Sequence, residues 1–226
     1  MPDKIRLFLQ QIDIMLTIQS FEFNPFQENT YVLFDETQEC VIIDPGCFVD
    51  HERKELTDFI EAKHLHVKML LNTHCHIDHV LGNYFVKEKF RTKLYIHPKD
   101  EPVLKSVKVY APNYGFATYT EAEVDAYLEE GDTVSFGNQN FKVLFVPGHS
   151  PGHIAFYNEK EKALIAGDVL FLNSIGRTDL PGGNHATLIN SIREKFFLLP
   201  DDVIVYPGHG QETTIGFEKR NNPFLQ

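Results

Sequence analysis

Four apolar segments of this chain are each followed within three residues by a histidine or an aspartate, side chains that can bind a metal ion. Proline ends the pairing of a strand, and glycine permits the sharp turn after it. The pattern therefore predicts strands whose ends meet at one rim and deliver these side chains to a single cleft. MLLN leads into THCHIDH (73–79), KVLFV into Pro147-Gly148-His149, ALIA into Gly167-Asp168, and VIVY into Pro207-Gly208-His209.

The first of these groups has an internal order. His74 and His76 are two residues apart on an extended segment, so both rings can face one metal ion. Asp78 and His79 stand where the next helix is predicted to begin, and their side chains point to a different place. A carboxylate at that position is also stabilised by the positive end of the helix dipole.

These positions predict two neighbouring metal sites. Imidazole and carboxylate ligands suit Zn²⁺, Fe²⁺ or Mn²⁺, and two divalent ions, Zn²⁺ first among them, are the cofactors that we expect. The predicted ligands are His74, His76 and His149 for the first site and Asp78, His79 and His209 for the second, with Asp168 bridging both.

The remaining histidines and the nearby cysteine are interpreted differently. A solvated histidine-rich tract is the alternative for residues 74–79, but the apolar run before that segment argues against it. His153 opens a strand and is predicted to order the rim of the cleft. Cys75 is predicted to point towards the core and not to act as a nucleophile. Ordinary surface or hydrogen-bonded core positions are predicted for His51, His64, His66, His97 and His185.

The composition limits the class of protein. With 226 residues, 42% of them hydrophobic, the chain can form one globular domain; we expect it to span residues 15–226, after an extension over residues 1–14 that has no signal-peptide pattern. A net charge of −11 argues against non-specific nucleic-acid binding. No apolar run is long enough to span a membrane. The odd number of cysteines, three, indicates a reducing compartment, so we expect a cytoplasmic protein.

Strands with interleaved helices are predicted in both halves of the chain. Helical spacing of apolar residues predicts helices over 50–64, 79–90 and 186–198. This order favours an α/β fold in which two mixed sheets face each other and the helices lie outside them. Within the second helix, the residues predicted to face inward are Val80, Tyr84 and Phe85.

Two further segments border the predicted cleft. Residues 106–120 are predicted to be a long loop that forms either a substrate wall or an ordinary packed segment. In GRTD (176–179), we expect Arg177 and Asp179 to pair with each other or with a neighbouring loop, in preference to substrate contact by Arg177. The aromatic side chains of the long loop are Tyr110, Tyr114, Phe116 and Tyr119.

The segment Thr73 to His79 resembles the T-H-x-H-x-D-H signature of the metallo-β-lactamase fold superfamily. His149, Asp168 and His209 follow in the order that this superfamily uses. Narrower features resemble the short glyoxalase II-like hydrolases. These features are FNPFQENTYVL (23–33), VLFLNSIGRTDLPGGN (169–184) and RNNPFLQ (220–226).

The resemblance implies a four-layer αβ/βα sandwich with a binuclear metal cleft and the hydrolysis of small-molecule thioesters or related esters. In the mechanism that we expect, a hydroxide held by both ions attacks the carbonyl carbon, and Asp78 orients the hydroxide or takes its proton. Long glyoxalase II proteins carry a C-terminal helical domain that binds glutathione. The short stretch after His209 has no room for that domain, so the resemblance extends to the metal chemistry alone.

Other members of this fold remain alternatives. Persulfide dioxygenases share the T-H-x-H-x-D-H segment and a GRTD-like segment but use one Fe²⁺, and LPGGN (180–184) favours the hydrolase branch. Nucleases of the fold usually carry basic patches, which this acidic chain lacks. A β-lactamase usually has different ligands at the second site. We expect a monomer or a homodimer.

Overall fold

The computed structural model describes residues 16–226; the predicted extension over residues 1–14 lies outside the described residues. No helix within residues 16–226 is both long and apolar enough to cross a membrane. The first half of the described chain contains β1 (Thr17–Phe23), β2 (Glu28–Phe34), β3 (Glu39–Ile43), α1 (Asp50–Ala62), β4 (His66–Leu71), α2 (Ile77–Val80), α3 (Asn83–Phe90), β5 (Lys93–Ile96), α4 (Glu101–Tyr110) and β6 (Ala126–Tyr127).

The second half repeats the alternation of strands and helices. It contains β7 (Thr133–Phe136), β8 (Gln139–Phe145), β9 (Ile154–Asn158), β10 (Ala163–Gly167), β11 (Leu170–Phe171), β12 (Ser174–Ile175), α5 (His185–Glu194), β13 (Ile204–Pro207), β14 (Thr213–Thr214) and α6 (Ile215–Asn221).

The strands form two mixed six-stranded sheets and a small hairpin. The first sheet has the order β1-β2-β3-β4-β5-β6; it is antiparallel from β1 to β3 and parallel from β3 to β6. The second has the order β14-β13-β10-β9-β8-β7, and only its β10–β13 pair is parallel. The hairpin is β11–β12. Because β10 and β13 run in parallel, their carboxyl ends reach the same edge of the second sheet.

The two sheets pack face to face. Successive side chains along each strand point to opposite faces, so alternate residues enter the layer between the sheets. In β3, Val41 and Ile43 enter the layer between the sheets, while Ile42 faces the outer helices. In β10, Ile165 enters the inner layer, and Leu164 packs on the other side. Large inner-layer residues from the second sheet include Phe136, Phe141 and Phe156.

Helices cover the outer face of each sheet. Leu56 of α1 and Leu104 of α4 pack on the first sheet, and Leu188 of α5 and Ile215 of α6 pack on the second. The result is the four-layer αβ/βα sandwich that the sequence resemblance predicts, and the predicted fold class is confirmed.

The predicted helix over 79–90 is wrong in its boundaries and in one inward residue. Two helices, α2 and α3, occupy this region, separated at Leu81 and Gly82. Gly82 donates its N–H to the Pro45 carbonyl at 2.7 Å, and a Cβ at this position would lie only 2.6 Å from Cys47 Sγ. This close approach interrupts the helix and changes the face that α3 buries. Tyr84 is therefore 45% exposed, and Val86 is buried instead.

The predicted long loop over 106–120 is also wrong at its start. Residues 101–110 form α4, with Pro102 in its first turn, where its missing N–H costs no helical hydrogen bond. Leu104 and Val107 lie three residues apart on one face of the helix and are buried against the first sheet. This apolar period is short, and the aromatic, turn-rich residues that follow it from Tyr110 onwards favoured the interpretation as a loop.

The inner layer gives a direct test of the packing. Phe156 is fully buried between the sheets, so Phe156→Ala is expected to lower the free energy of unfolding by about 3–5 kcal/mol. Val109 is 76% exposed, and Val109→Ala is expected to change it by less than about 0.5 kcal/mol. Urea unfolding of the metal-free protein measures both values. Equal changes in the two variants would contradict the assignment of the inner layer.

Candidate metal centre

Four strand ends deliver the seven predicted ligands to one edge of the sandwich. His74 to His79 follow β4, His149 follows β8, Asp168 follows β10, and His209 follows β13. Gly148 adopts φ +132°, and a Cβ there would lie 2.3 Å from Leu188 N, so the turn before His149 requires glycine. The structure thus brings these side chains together at one edge of the sandwich.

The first cluster consists of three buried histidines whose ring nitrogens converge. His76 Nδ1 lies 2.8 Å from His149 Nε2, and His149 Nε2 lies 3.2 Å from His74 Nε2. His149 Nδ1 donates to the Arg177 carbonyl at 2.8 Å, which leaves Nε2 free to accept. His74 Nδ1 faces the Thr73 hydroxyl at 3.1 Å. That hydroxyl donates its own proton to a carboxylate, so it accepts from His74 Nδ1–H. The Nε2 atom of His74 is therefore also free to accept.

The second cluster contains two histidines and a carboxylate. Asp78 Oδ2 lies 3.1 Å from His209 Nε2 and 3.6 Å from His79 Nε2. His209 Nδ1 lies 3.1 Å from the carbonyl oxygens of Phe26 and Gln27, so its Nε2 points into the cluster. The side chain of His209 is 27% exposed, and this cluster therefore faces the opening of the cleft.

Asp168 lies between the two clusters. Its Oδ2 is 3.5 Å from His149 Nε2 in the first cluster and 3.5 Å from His209 Nε2 in the second. Its Oδ1 is 3.5 Å from His79 Nε2. The backbone N–H of Asp168 donates to His153 Nε2 at 3.0 Å, so His153 orders the rim, as predicted.

The donor set fits divalent cations. In each cluster of three, the potential ligand atoms all lie within 4.8 Å of one another. His79 Nε2 and Asp168 Oδ1 are buried without a hydrogen-bond partner among the described residues. Unpaired buried polar atoms are costly in a folded protein, and a cation between them would satisfy both. Nitrogen and carboxylate ligands are those that Zn²⁺ and Fe²⁺ bind.

The two clusters differ in charge in the absence of metal. Burial lowers the pKa of His74 well below its ordinary value, and burial together with the nearby His149 lowers the pKa of His76 to about 3. Burial opposes charge on His79 and His209 as well, but Asp78 and Asp168 outweigh it. These carboxylates raise the pKa of His79 well above its ordinary value and that of His209 to about 10.

The carboxylates of the second cluster stay ionised for the same reason. Burial alone would raise the pKa of Asp78 and of Asp168. The charge of His79 and the hydrogen bond with His209 lower both instead, and that of Asp168 falls well below its ordinary value. The metal-free second cluster is therefore a network of ion pairs, while the first is neutral at His74 and His76.

Asp44 supports the second cluster and was not predicted. Its Oδ2 accepts from His79 Nδ1 at 3.2 Å and from the Thr73 hydroxyl, and its Oδ1 accepts from Thr73 N at 2.7 Å. It thereby directs His79 Nε2 towards Asp168. Asp44 directly follows the buried strand β3, so the same pattern of an apolar strand and a polar end residue was a signal for it.

Glu28 was also missed, and no sequence signal marks it. Its side chain is completely buried, its Oε2 accepts from the Thr30 hydroxyl at 2.9 Å, and its Oε1 lies 3.9 Å from His79 Nδ1. Burial raises the pKa of this carboxyl well above its ordinary value. Glu28 therefore lines the inner side of His79, where burial favours the uncharged form of its carboxyl.

Two other predictions concern the surroundings of the clusters. Arg177 pairs with Asp179 through two contacts, at 2.7 and 2.8 Å, so the predicted pairing of these side chains is confirmed. Cys75 is fully buried, in agreement with its predicted orientation. Burial raises the pKa of its thiol well above the ordinary value, so it is not a reactive thiolate.

The chain belongs to the metallo-beta-lactamase superfamily, whose family model matches residues 23–209. One relative is the hydroxyacylglutathione hydrolase GloC of Haemophilus influenzae, 39% identical over 217 residues that cover 93% of this chain and 98% of the relative. The structure is similar to the BLEG-1 B3 metallo-beta-lactamase, with a TM-score of 0.83 and 37% identity over 93% of this chain and 100% of the other. It is also similar to TTHA1623 in a di-iron-bound form, with a TM-score of 0.81 and 37% identity over 92% and 100%.

The contrast in charge predicts a contrast in proton release. A protonated imidazole must lose its proton before it binds a metal ion. Metal-free His209→Ala keeps the first cluster, and His76→Ala keeps the second. Zn²⁺ binding to His76→Ala is expected to release more protons, because Asp78 and Asp168 favour the protonated forms of His79 and His209. Its affinity is expected to weaken more steeply as the pH falls.

Calorimetry in two buffers of different ionisation enthalpy measures the number of protons released by each variant. Equal proton release and equal pH dependence in His209→Ala and His76→Ala would contradict the assignment of charge to the second cluster.

Proposed function

We propose that the protein is a thioester hydrolase that holds two divalent metal ions at this centre. The observation that carries the proposal is the position of Asp168, whose carboxylate lies 3.5 Å from ring nitrogens of both clusters. A carboxylate shared in this way can bridge two ions. His74, His76 and His149 would hold the first ion, Asp78, His79 and His209 the second, and Asp168 both.

Two ions bound there would lower the pKa of bound water towards about 7 and polarise a carbonyl oxygen. The residues around them keep the reacting groups in place. Asp44 fixes the orientation of His79, and the Arg177 carbonyl fixes that of His149. Asp78 is the catalytic residue that we propose, because its carboxylate lies at the more open cluster, where it can orient an attacking water or take its proton. A thiolate leaves easily, so the reaction requires no strong general acid.

Zn²⁺ is the ion that we favour, on the chemistry of the ligands. Three imidazoles without a thiolate, and a second set that contains a carboxylate, suit Zn²⁺ but also Fe²⁺ and Mn²⁺. The similar TTHA1623 structure is described in a di-iron-bound form, which keeps iron as a real alternative. Elemental analysis of the purified protein distinguishes these ions.

Aromatic side chains border the open side of the cleft and support an organic substrate. Phe26 is 38% exposed and Tyr114 is 58% exposed, and their rings lie 6.1 Å apart. The Phe26 carbonyl contacts His209, and the Phe171 ring lies 6.3 Å from the His209 ring. These rings would form the wall along which the acyl or thiol part of the substrate binds.

The GloC relative supports a hydroxyacylglutathione-like thioester as the substrate. The match with this chain covers 98% of the length of GloC, so that relative has no room for a large additional domain. A glutathione thioester is therefore compatible with a metallo-beta-lactamase domain of this size.

The substrate class is tested with a panel of S-lactoylglutathione, other thioesters, lactones, a β-lactam and glutathione persulfide. We expect thioester hydrolysis, with two metal ions per chain. One iron per chain with oxygen consumption on the persulfide would replace the proposal by the mononuclear dioxygenase alternative. Hydrolysis of the β-lactam alone would replace it by a β-lactamase.

The shared carboxylate gives the sharpest variant. Asp168→Ala removes the group between the clusters, so we expect the loss of at least one ion per chain and of most thioester hydrolysis, with the fold retained. His74→Ala is expected to have the same effect through the first cluster. His185→Ala is the matched control, because His185 is exposed at the start of α5.

Metal content, circular dichroism and hydrolysis rates are measured on all three proteins. Wild-type hydrolysis by Asp168→Ala would exclude the two-metal mechanism.

The cellular setting of this activity is part of the proposal. All three cysteines of the chain are free and buried, which supports a reducing compartment and a cytoplasmic enzyme. A monomer or a homodimer remains the prediction for the oligomeric state, and light scattering at several protein concentrations measures it.

A further inference from the structure

Asp100 is a buried carboxylate that does not belong to either cluster. It ends the short 3-10 helix Pro98–Asp100, which follows β5, and it has no exposed surface. Burying a carboxylate is costly unless hydrogen bonds stabilise it. The donors that surround Asp100 therefore indicate what the carboxylate does in this fold.

Three donors from two different segments converge on Asp100. Its Oδ2 accepts from Cys75 N at 2.7 Å. Its Oδ1 accepts from Gly152 N at 2.6 Å and from the Ser150 hydroxyl. Cys75 lies in the segment after β4, while Ser150 and Gly152 lie in the turn between β8 and β9. One side chain thus joins a loop of the first sheet to a loop of the second.

These two loops carry the whole first cluster. Cys75 stands between His74 and His76, and Ser150 directly follows His149. The distance between the two histidines of one loop and the histidine of the other is therefore fixed beneath them by the Asp100 carboxylate. The short separation of His76 Nδ1 and His149 Nε2, 2.8 Å, is measured across this junction.

We propose that Asp100 is a positioning residue for the first metal site, holding the loops at the spacing that lets one ion contact all three histidines. This inference rests on the proposed two-metal function and adds to it a residue that touches neither metal ligand side chains nor substrate. Residues that orient metal ligands without touching the ion typically change metal affinity by about 10–100-fold when they are mutated.

The second cluster is held by different contacts. Asp44 accepts from His79, and backbone carbonyls of Phe26 and Gln27 hold His209. The hydrogen bonds of Asp100 reach none of these groups. A positioning role for Asp100 therefore requires that its loss weaken the first site and spare the second, whereas a general role in stability would affect both.

Asp100→Asn is the variant that tests the role, because it keeps the size of the side chain and replaces one oxygen by an NH₂ group. If the amide oxygen keeps the hydrogen bonds from Ser150 and Gly152, the NH₂ group faces the N–H of Cys75. Two donors then face each other, and the hydrogen bond to Cys75 is lost. Asp35→Asn is the matched control. Asp35 is also buried and accepts from Thr37 and from Asn138 N, at 2.7 Å for the latter. It joins the turn after β2 to the turn after β7, at the opposite end of β2 from Glu28, which lies beside the second cluster.

The readout is Co²⁺ binding to the metal-free protein, followed by its visible spectrum and by competition with a chelator. Asp100→Asn and Asp35→Asn are each placed in His209→Ala, which keeps the first cluster, and in His76→Ala, which keeps the second. Asp100→Asn is expected to lower the Co²⁺ affinity of the first site by about 10–100-fold and to leave the second unchanged. Asp35→Asn is expected to lower urea stability and to change neither affinity.

Two results would overturn the inference: an unchanged first site in Asp100→Asn, or an equal loss at both sites. If Asp100→Asn does not fold, Ser150→Ala removes one of the three bonds and is expected to weaken the first site alone, by a smaller factor; no change in that variant would equally overturn it. The measurement needs no substrate. A failure to hydrolyse thioesters would therefore reject the proposed function without deciding the role of Asp100. An unchanged Co²⁺ affinity in Asp100→Asn would reject the role of Asp100 without deciding the proposed function.

Discussion

The packing of the two sheets against each other determines where every predicted ligand of the candidate metal centre lies. Each cluster takes side chains from both sheets: His74 and His76 come from the first and His149 from the second, and His79 and His209 are divided in the same way. The ring nitrogens converge to about hydrogen-bond distance only because the inner layer fixes the separation of the sheets. Close packing of that kind leaves few alternative arrangements, so the chemistry at the rim depends on apolar residues well below it.

Electrostatics divides the centre into two unlike halves. The first cluster is deeply buried, and desolvation keeps His74 and His76 uncharged. The second is closer to solvent, and the carboxylates of Asp78 and Asp168 keep His79 and His209 charged when no metal is bound. A cation entering the second cluster would replace protons, while one entering the first would replace none from His74 or His76. The same seven side chains would therefore provide two metal sites of different character.

Much of the centre could be predicted because its signal is local. Strand ends followed by Pro-Gly-His or Gly-Asp are visible in a single pass along the chain, and the signature over 73–79 added the fold. Elements set by tertiary contact could not be predicted in this way. The break at Gly82 depends on the approach of Pro45 and Cys47, and the apolar period of α4 is too short to predict a helix without its contacts to the first sheet. The roles of Asp100 and Glu28 depend on contacts with residues that are distant in sequence, so neither role could be predicted from the sequence alone.

Because each cluster draws its side chains from both sheets, an ion bound there would cross-link the two halves of the molecule. An ion that binds the native state and not the unfolded chain raises stability in proportion to the logarithm of its free concentration. Metal supply would then control how long the folded enzyme survives as well as how fast it works. In a cell short of metal, the protein would become both idle and easier to degrade.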